Sequence, residues 1–280
     1  MASSRAALVT GCSSGIGRAT ALRLHRSGLP VYATARDAGT LGELAANGIR
    51  TMRLDVTDEE SMTAAVEQVN AEHGAVGILV NNAGSGVHGA VEDIPLSSAR
   101  ASFETNVFGP MRLTQLVLPR MREQRSGRIV NISSVLGRFS PPGGGLYQAT
   151  KHALEAFSDS LRAEVAPFGV RVSLIEPATV RTRFFATAMG QFAGRPDSAY
   201  REFYETLANW AVDVHEGRTA AGRFAVSAEA VAAVIERAVA SRRPRARFPV
   251  GTLAHGALGA RRLLPDRLFD RFVAAQFPSP

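Results

Sequence analysis

Cysteine is almost absent from this 280-residue sequence, in which Cys12 is the only one. A single thiol cannot form an intrachain disulfide or supply a cysteine-based metal site. The six histidines show no spacing typical of metal ligands, so we expect no bound metal. So little cysteine is typical of proteins from a reducing compartment, and we expect a cytoplasmic protein.

Long hydrophobic runs are also missing. No apolar stretch approaches the 18 or so residues that a membrane span needs. The first residues pass directly into the apolar segment Ala6–Thr10, which is too short for the core of a secretory signal. We therefore expect neither a membrane span nor a signal peptide.

Lysine is the third scarcity. The chain has 32 basic residues, and the only lysine among them is Lys151, four positions after Tyr147. Residues four apart share one face of a helix, and a nearby ammonium lowers the pKa of a tyrosine from its usual value of about 10. Because only four residues are tyrosine, the spacing favours a functional Tyr–Lys pair over an accident on a solvated helix.

The arginines give a net charge of +7 and a pI near 10.6. Their one dense cluster comprises Arg242, Arg243, Arg245 and Arg247. It is either a solvated loop that leads into a strand or, less favoured, a docking patch. No nucleic-acid recognition motif accompanies it, so we expect no nucleic-acid partner.

Short β-rich runs alternate with longer amphipathic segments along the chain. The predicted strands are Ala6–Thr10, Pro30–Ala35, Arg50–Asp55, Gly77–Asn81, Gly127–Ser133, Val170–Glu176 and Arg247–Val250. The predicted helices are Ile16–Ser27, Glu59–His73, Val107–Gln124, Tyr147–Ala166 and Ala228–Ala240. This alternation predicts an α/β fold: one domain with a doubly wound, Rossmann-type parallel sheet and helices on both faces.

Residues 178–226 interrupt this rhythm and hold 8 of the 19 aromatic residues. The segment is predicted to be a helical substrate lid, although the helical spacing of Phe203, Tyr204, Leu207 and Trp210 fits core packing equally well. His215, near its end, is a candidate partner for a distal substrate oxygen. A C-terminal extension of about residues 251–280 follows the last strand.

A glycine-rich segment follows the first predicted strand. It reads Thr10-Gly11-Cys12-Ser13-Ser14-Gly15-Ile16-Gly17 and leads into a helix. Glycines here let the backbone approach a pyrophosphate, and the helix N-terminus offers free N–H groups to the anion. In this position within a βαβ unit, the motif predicts a dinucleotide-binding and catalytic domain that spans residues 1–280.

Further motifs appear in a fixed order after this turn. They are Asn81-Asn82-Ala83-Gly84, Asn106, Ser134 thirteen residues before Tyr147, and Tyr147-Gln148-Ala149-Thr150-Lys151. Over roughly residues 5–250 the chain resembles the short-chain dehydrogenase/reductase family, and it is most similar to the 17β-hydroxysteroid and retinol dehydrogenase branch. One departure is Ala178, which stands where the family usually has glycine after the proline.

The resemblance implies a catalytic tetrad of Asn106, Ser134, Tyr147 and Lys151. Ser134 would bind the substrate oxygen, Tyr147 would exchange a proton with it, and Lys151 would hold the cofactor ribose and lower the tyrosine pKa. Asn106 would hold a water that links Lys151 to solvent. Neighbouring strand residues face opposite sides, so Ser133 competes with Ser134, and the family's interval selects Ser134.

The end of the second predicted strand bears on the cofactor. Ala35 occupies the position where an acidic residue would accept the ribose hydroxyls of NAD, and Arg36 follows it. Arginine can grip a 2′-phosphate with two charge-assisted hydrogen bonds, so NADP, as NADPH, is favoured over NADH. Asp37 can still reach a ribose, and Arg36 can be an ordinary surface residue. The resemblance adds Ser14 to the same phosphate.

Other cofactor positions are implied by the resemblance. Asp55 and Val56 would meet the adenine, although Asp55 can equally cap the following helix. Asn81 and Gly84 would line the ribose side, although an Asn-Asn turn is a common structural device. The full set of expected cofactor contacts is Gly11, Ser13, Ser14, Gly15, Ile16, Gly17, Arg36, Asp55, Val56, Asn82, Ala83, Gly84, Tyr147, Lys151, Pro177, Val180 and Thr182.

These features together predict an NADP(H)-dependent oxidoreductase that interconverts an alcohol and a ketone or aldehyde on a bulky apolar, steroid- or retinoid-like substrate. The alternatives are a reductase of 3-oxoacyl or other small oxo substrates, and a non-catalytic NADP(H)-binding sensor. Family likeness further suggests a homodimer or homotetramer that pairs through Val107–Gln124 and Tyr147–Ala166.

Overall fold

The computed structural model describes residues 3–182 and 198–278. Its main sheet contains seven parallel strands, in the order β3-β2-β1-β4-β5-β6-β9. These strands are β1 (Ala7–Val9), β2 (Val31–Ala35), β3 (Arg50–Arg53), β4 (Ile78–Asn81), β5 (Gly127–Ile132), β6 (Val170–Pro177) and β9 (Arg247–Val250). All seven coincide with predicted strands, and the doubly wound fold is confirmed.

Helices connect the strands and cover both faces of the sheet. In chain order they are α1 (Gly15–Arg26), α2 (Gly42–Ala46), α3 (Glu59–His73), α4 (Leu96–Phe103), α5 (Gly109–Glu123), α6 (Gly145–Val165), α7 (Arg201–His215), α8 (Ala220–Arg223), α9 (Ala228–Ala240), α10 (Thr252–Leu263) and α11 (Asp266–Ala274). No helix within the described ranges is long and apolar enough to cross a membrane.

Alternating residues of each strand build two separate hydrophobic layers. Ala7 and Val9 of β1 face the layer formed with α1 and α9, whereas Leu8 between them faces the layer formed with α3, α5 and α6. Because both faces are covered, the central strands β1, β2 and β4 are buried at every position, as expected of a parallel sheet.

The chain reverses its direction of winding between β1 and β4, which are neighbours in the sheet. In such folds a crevice opens at the carboxyl ends of the strands on either side of this point, and ligands bind there. The glycine-rich segment follows β1, Asn82 follows β4, and Ser134 lies just beyond β5. The topology therefore brings the sequence motifs to one edge of the sheet.

The predicted lid begins and ends at a second, two-stranded sheet. In it β7 (Val180–Arg181) pairs in parallel with β8 (Val226–Ser227), and α7 and α8 lie between them in sequence. The aromatic residues Phe184, Phe185 and Phe192 of this predicted lid lie outside the described residues. The lid role stays a prediction.

Two regions differ in detail from what the sequence predicts. The helix expected to begin at Val107 is preceded by α4 and by a π-helical turn, Glu104–Phe108. In the basic cluster, Arg247 begins β9 and bonds Glu155 at 2.9 Å and Asp159 at 2.6 Å, while Arg242 and Arg243 are exposed. The cluster is therefore a loop that leads into a strand, the favoured of the two interpretations.

Candidate active site

The glycine-rich turn packs so tightly that its glycines leave no room for side chains. A Cβ on Gly17 would lie 2.3 Å from the Gly11 carbonyl oxygen, and one on Gly11 would lie 2.9 Å from the Ala83 Cα. Gly11 and Gly15 also have positive φ angles of +71° and +56°, which glycine adopts at little cost. The turn is thus held directly against the segment that follows β4.

Helix α1 presents an open N-terminus at this turn. Its N-cap residue, Ser14, makes no side-chain capping bond, and the first turn contains no acidic residue. The free N–H groups and the helix dipole therefore favour an anion at this point. A Cβ on Gly15 would lie 3.1 Å from the Thr182 side chain. Thr182, which directly follows β7, therefore reaches the same cradle, as the resemblance implies. Ser13 and Ile16 flank the turn and keep some exposure.

Thr10 ties the ends of β1 and β4 together, a role that the sequence does not predict. Its hydroxyl accepts hydrogen bonds from the backbone N–H groups of Asn82 (3.0 Å) and Ala83 (2.9 Å). The Asn82 carboxamide donates in return to the carbonyls of Thr10 (2.8 Å) and Gly11 (3.1 Å). The amide N–H groups of the Asn82 side chain are therefore used to hold the turn in place.

Asn81 does not reach the expected ribose side. It is 3% exposed, and its carboxamide donates to the Asn131 Oδ1 at 2.9 Å, beneath the sheet edge. The expectation for Asn81 is wrong because alternation along β4 turns its side chain into the layer below. Gly84 does reach the site, since a Cβ there would lie 3.3 Å from the Asn106 Oδ1 and 4.0 Å from the Lys151 Nζ.

The adenine-side candidates lie at the ends of β2 and β3. Arg36 is exposed, whereas the Asp37 carboxylate accepts a hydrogen bond from the Gly39 N–H at 2.9 Å and caps the next turn. The carboxylate of Asp55 accepts from Thr57, both from its backbone N–H and from its hydroxyl. Asp58, and not Asp55, caps α3, so the capping alternative for Asp55 is wrong. Val56 is buried beside Gly109.

Tyr147 and Lys151 lie in the first two turns of α6, as their spacing predicts. The Lys151 Nζ is 5.6 Å from the centre of the Tyr147 ring and donates to the Ile132 carbonyl at 2.9 Å. Lys151 is 6% exposed, and this burial lowers its pKa from 10.5 to about 8, against the opposing effect of Glu155. The Lys151 ammonium is thus buried and oriented by one hydrogen bond, and its pKa lies close to neutral pH.

Ser134 contacts Tyr147 from the end of β5. A hydrogen bond joins the two side chains, and the Ser134 hydroxyl also accepts from the Leu136 N–H at 3.1 Å. Ser133 faces the other way, since its hydroxyl lies where a Cβ on Gly137 would be 2.9 Å away. Of the two competing serines, the structure brings Ser134 to the tyrosine.

Burial sets the tyrosine pKa in the opposite direction from the one the sequence predicts. Desolvation raises the pKa of Tyr147 from 10 to about 12, and the hydrogen bond from Ser134 only partly offsets it. The neighbouring ammonium does not overcome this, because Lys151 is itself desolvated and is directed at the Ile132 carbonyl. At neutral pH the protein alone therefore holds Tyr147 as the protonated phenol.

Asn106 is 1% exposed and lies within the π-helical turn between α4 and α5. Its carboxamide accepts from the Ser85 N–H at 2.8 Å, donates to the Ser85 carbonyl at 2.8 Å, and donates to the Thr150 hydroxyl at 3.0 Å. The side chain therefore fixes the loop after β4 against α6. A water held by Asn106 stays a prediction.

The segment after β6 completes the edge of the site. The Ser134 hydroxyl lies 3.5 Å from the Pro177 carbonyl, and Val180 pairs with Val226. Ala178 does not have a positive φ, and its methyl group packs against the C-terminal hydrophobic cluster that includes Phe269. The usual glycine is therefore not required for the backbone path in this chain.

Helix α7 of the predicted lid packs onto the loop before Tyr147. A Cβ on Gly143 would lie 2.7 Å from Leu207 and 3.1 Å from Phe203, and both side chains are buried. Their spacing thus reflects core packing, while Trp210 packs on Phe277 with ring centres 5.5 Å apart. His215 is exposed at the last residue of α7.

His88 is a site residue that sequence reasoning missed. Its ring stacks on Tyr147 with ring centres 6.0 Å apart and an interplanar angle of 24°. The available signal was its position in the loop that follows β4, at the edge of the sheet where the motifs meet. Among the described residues, no group of three acidic, histidine or cysteine side chains is arranged to hold a metal ion.

The fold and this edge define a dinucleotide-binding protein of the oxidoreductase type. Residues 5–191 match the model of the short chain dehydrogenase family. The chain belongs to the short-chain dehydrogenase/reductase family.

Individual relatives support the same placement. The chain is 36% identical over 271 residues to the uncharacterized oxidoreductase YbbO of Escherichia coli, covering 96% of this chain and 94% of that one. It is 34% identical over 276 residues to the NADPH-dependent 3-dehydrocapnine reductase of Ornithobacterium rhinotracheale, covering 95% of each. Mouse retinol dehydrogenase 5 is 42% identical over 180 residues, which cover 62% of this chain and 56% of that one.

Solved structures show the same architecture. A short-chain dehydrogenase from Streptomyces avermitilis superposes with a TM-score of 0.80 at 36% identity, covering 97% of this chain and 96% of that one. A short-chain dehydrogenase/reductase from Burkholderia phymatum in complex with NAD has a TM-score of 0.77 at 26% identity, covering 99% and 97%.

Proposed function

We propose that this chain is an NADP(H)-dependent oxidoreductase that interconverts a secondary alcohol and a ketone, or an alcohol and an aldehyde, on a bulky apolar substrate. The observation that carries the proposal is the meeting of Ser134, Tyr147 and Lys151 at one edge of the sheet. The names of two relatives, an NADPH-dependent 3-dehydrocapnine reductase and a retinol dehydrogenase, support this chemistry.

The glycine cradle fits a nicotinamide dinucleotide. The close packing of Gly11 and Gly17, together with the open N-terminus of α1, provides a site for a pyrophosphate. Thr182 adjoins the same cradle, and Lys151 and Gly84 lie further along the edge. When bound, the cofactor supplies or accepts the hydride.

The residues of the chain supply the proton and hold the substrate oxygen. Tyr147, protonated at neutral pH, donates its phenolic proton to the carbonyl oxygen as the alcohol forms. Ser134 donates a hydrogen bond to the same oxygen and orients it towards Tyr147. Lys151 holds the cofactor ribose and stabilises the phenolate that remains after proton transfer. The protonated tyrosine is the form that reduction requires.

The preference for NADP is part of the proposal and depends on Arg36. This side chain is exposed and has no hydrogen-bond partner among the described residues, whereas Asp37 is engaged by its own turn. An unengaged guanidinium at the end of β2 is suited to a 2′-phosphate.

The apolar substrate is part of the proposal and is supported by the name of one relative, a retinol dehydrogenase. We place α7, as part of the lid within residues 178–226, in the same catalytic domain as the rest of the chain. Homodimer or homotetramer formation stays a prediction, which the exposure of Phe108 (49%) and Met111 (37%) near the start of α5 supports.

The proposal is tested by NADPH oxidation with a panel of ketones and aldehydes of increasing apolar size. We expect turnover with the wild-type protein, and a loss of about 10²–10⁴-fold in kcat for Tyr147→Phe, the usual range for removing a general acid. Ser134→Ala is expected to lose activity as well, with Ser133→Ala as its matched control. Absence of turnover with every member of the panel contradicts the proposed function, and full activity of Tyr147→Phe contradicts the proposed mechanism.

A further inference from the structure

Two buried carboxyl groups and two arginines form a cluster that the proposed mechanism does not use. Glu155 of α6 and Glu176 of β6 are 5% and 1% exposed. The Arg247 Nε donates to the Glu155 Oε2 at 2.9 Å and lies 3.4 Å from the Glu176 Oε1. A guanidinium nitrogen of Arg138 lies 3.8 Å and 3.6 Å from the same two oxygens.

The cluster adjoins the proposed active site through Glu155, which follows Lys151 by one turn of α6. Residues four apart share one face of a helix, and both of these side chains are buried. Both residues also pack on Gly137, where a Cβ would lie 3.0 Å from the Glu155 Cγ and 3.2 Å from the Lys151 carbonyl oxygen. The Glu155 carboxylate attracts the Lys151 ammonium, and this attraction opposes the lowering of the Lys151 pKa by burial.

The Lys151 ammonium needs an opposite charge that does not occupy its donors. Its Nζ donates to the uncharged Ile132 carbonyl, and a buried cation without an opposite charge is costly. A carboxylate in direct contact would take the N–H groups that the proposed ribose contact requires. Glu155 is instead held by Arg247, so it supplies a negative charge and leaves those donors free.

Several charged groups other than Lys151 face the Glu155 carboxyl group in the described structure. They are Arg138 just beyond β5, Glu176 on β6, Arg247 on β9 and, through Arg247, Asp159 one turn further along α6. Burial raises the pKa of Glu176 to about 7, and its carboxyl group is hydrogen-bonded to that of Glu155. This pair gains negative charge as the pH approaches the range in which Lys151 titrates, which strengthens the attraction.

We propose that Glu155 is a positioning residue for the reaction, whose carboxylate keeps the neighbouring Lys151 protonated and leaves its ammonium free to hold the cofactor ribose. The inference rests on the proposed function. An opposite charge favours the charged form of a group. Removing the Glu155 charge should therefore let Lys151 lose its proton at a lower pH, and removing the positive charge of Arg138 should have the opposite effect.

Lys151 can be titrated directly because it is the only lysine in the chain. Untagged protein grown with isotope-labelled lysine gives one side-chain NMR signal, and its pH midpoint reports the protonation of Lys151. We expect Glu155→Gln to lower this midpoint by about 0.5–1 pH unit. Arg138→Gln is expected to raise it by about 0.2–0.5 pH unit, a smaller effect because Arg138 is 41% exposed and screened by water.

The matched control is Asp159→Asn, which removes a carboxylate on the same helix that also bonds Arg247, at 2.6 Å. Its side chain is 42% exposed, so the midpoint should move by less than about 0.2 pH unit. The pH at which kcat/KM for ketone reduction declines should shift in the same direction as the NMR midpoint in each variant, whereas a merely structural role of Glu155 would lower the rate without moving this pH.

An unchanged NMR midpoint in Glu155→Gln overturns the inference, and so does a shifted midpoint without a matching shift in kcat/KM. If Glu155→Gln does not fold, Arg138→Gln decides, since its midpoint must rise. In either case the proposed function stands as long as wild type turns over. If wild type reduces no member of the ketone panel, the proposed function fails and the role of Glu155 in the reaction falls with it, while the NMR midpoints still show whether Glu155 acts on Lys151.

Discussion

At the scale of single residues, burial explains why lysine occupies position 151 in a chain that otherwise uses arginine. The Lys151 ammonium is 6% exposed and uses one donor on the Ile132 carbonyl. A guanidinium would bring five N–H donors into the same space, and most of them would be left without partners. Burial also lowers the pKa of Lys151, which arginine would not allow to the same extent.

The lowered pKa of Lys151 predicts how the rate of ketone reduction depends on pH. Because the pKa of Lys151 is lowered to about 8, the ammonium is present below that pH and is lost as the pH rises through it. We expect kcat/KM for ketone reduction to be level below about pH 7 and to fall up to tenfold per pH unit above about pH 8. The measurement is a pH–rate profile at saturating NADPH.

The Lys151→Arg variant tests whether deprotonation of Lys151 causes the fall in kcat/KM above about pH 8. Arginine stays protonated above pH 12, so the decline near pH 8 should disappear even though the variant loses about tenfold or more in rate. A decline that persists unchanged in Lys151→Arg would assign it to another group. Near-normal turnover of this variant at neutral pH would remove any special role for lysine.

Residue-level prediction succeeded where spacing determines position and failed where an environment must be known. The interval from Tyr147 to Lys151 sets a shared helix face, and the structure shows that face. The tyrosine pKa could not be inferred from the same interval, because it depends on desolvation by many distant residues. His88 was missed because a loop residue has no periodicity that would predict which neighbour it contacts.

At the scale of elements, the turn between β1 and α1 needs glycine because there is no room for a side chain, and not only because some of its residues have a positive φ. Gly17 does not have a positive φ, yet a Cβ there would lie 2.3 Å from the Gly11 carbonyl oxygen. Backbone must therefore move to admit even a methyl group. In α10, by contrast, Gly256 faces open space.

This contrast predicts opposite effects of the same substitution. Gly17→Ala is expected to destabilise the fold by about 1–3 kcal/mol through overpacking and to weaken dinucleotide binding. Gly256→Ala, in a helix interior with free space, is expected to stabilise by up to about 1 kcal/mol. Urea unfolding of both variants measures the change. Equal stability of Gly17→Ala and wild type would show that the turn is less closely packed than described.

The strands could be predicted from the pattern of apolar residues, but one helical turn could not. The strands were predicted well because both of their faces are buried, which produces short apolar runs. The π-helical turn Glu104–Phe108 was not predicted, because its i,i+5 hydrogen bonds differ by only one residue from the i,i+4 bonds of an α-helix, and one short turn leaves no separate apolar pattern. That turn contains Asn106, whose three side-chain hydrogen bonds depend on its placement there.

At the scale of the whole molecule, the sheet brings distant parts of the chain into one edge. The glycine turn, the loop after β4, and Ser134 with the first turns of α6 come from three separate crossovers. Alternation of strands and helices was sufficient to predict this assembly, because parallel sheets admit few topologies. The role of α7 was less predictable, since apolar residues at helical spacing fit core packing, which the contacts of Phe203 and Leu207 with Gly143 show, as well as the predicted lid.

Because the cradle exists only in the folded chain, cofactor binding should stabilise the whole molecule in proportion to affinity. A ligand at about 100 times its Kd adds ~2.7 kcal/mol to the free energy of unfolding, or roughly 5–10 °C in Tm for a chain of this size. We expect NADPH to raise the Tm more than NADH at equal concentration, since Arg36 is exposed and unengaged in the described structure.

The Arg36→Ala variant tests whether the contact of Arg36 with the 2′-phosphate causes the difference between the Tm shifts with NADPH and NADH. Loss of charge-assisted bonds to the 2′-phosphate is expected to weaken NADPH binding by about 10–100-fold and to leave NADH binding unchanged, so that the two Tm shifts converge. Arg26→Ala, at the far end of α1, is the matched control and should preserve the difference. Calorimetric titration of both cofactors gives the Kd values directly. Equal affinity of the wild-type protein for NADPH and NADH would contradict the role of Arg36, whereas stabilisation by neither would contradict the cradle itself.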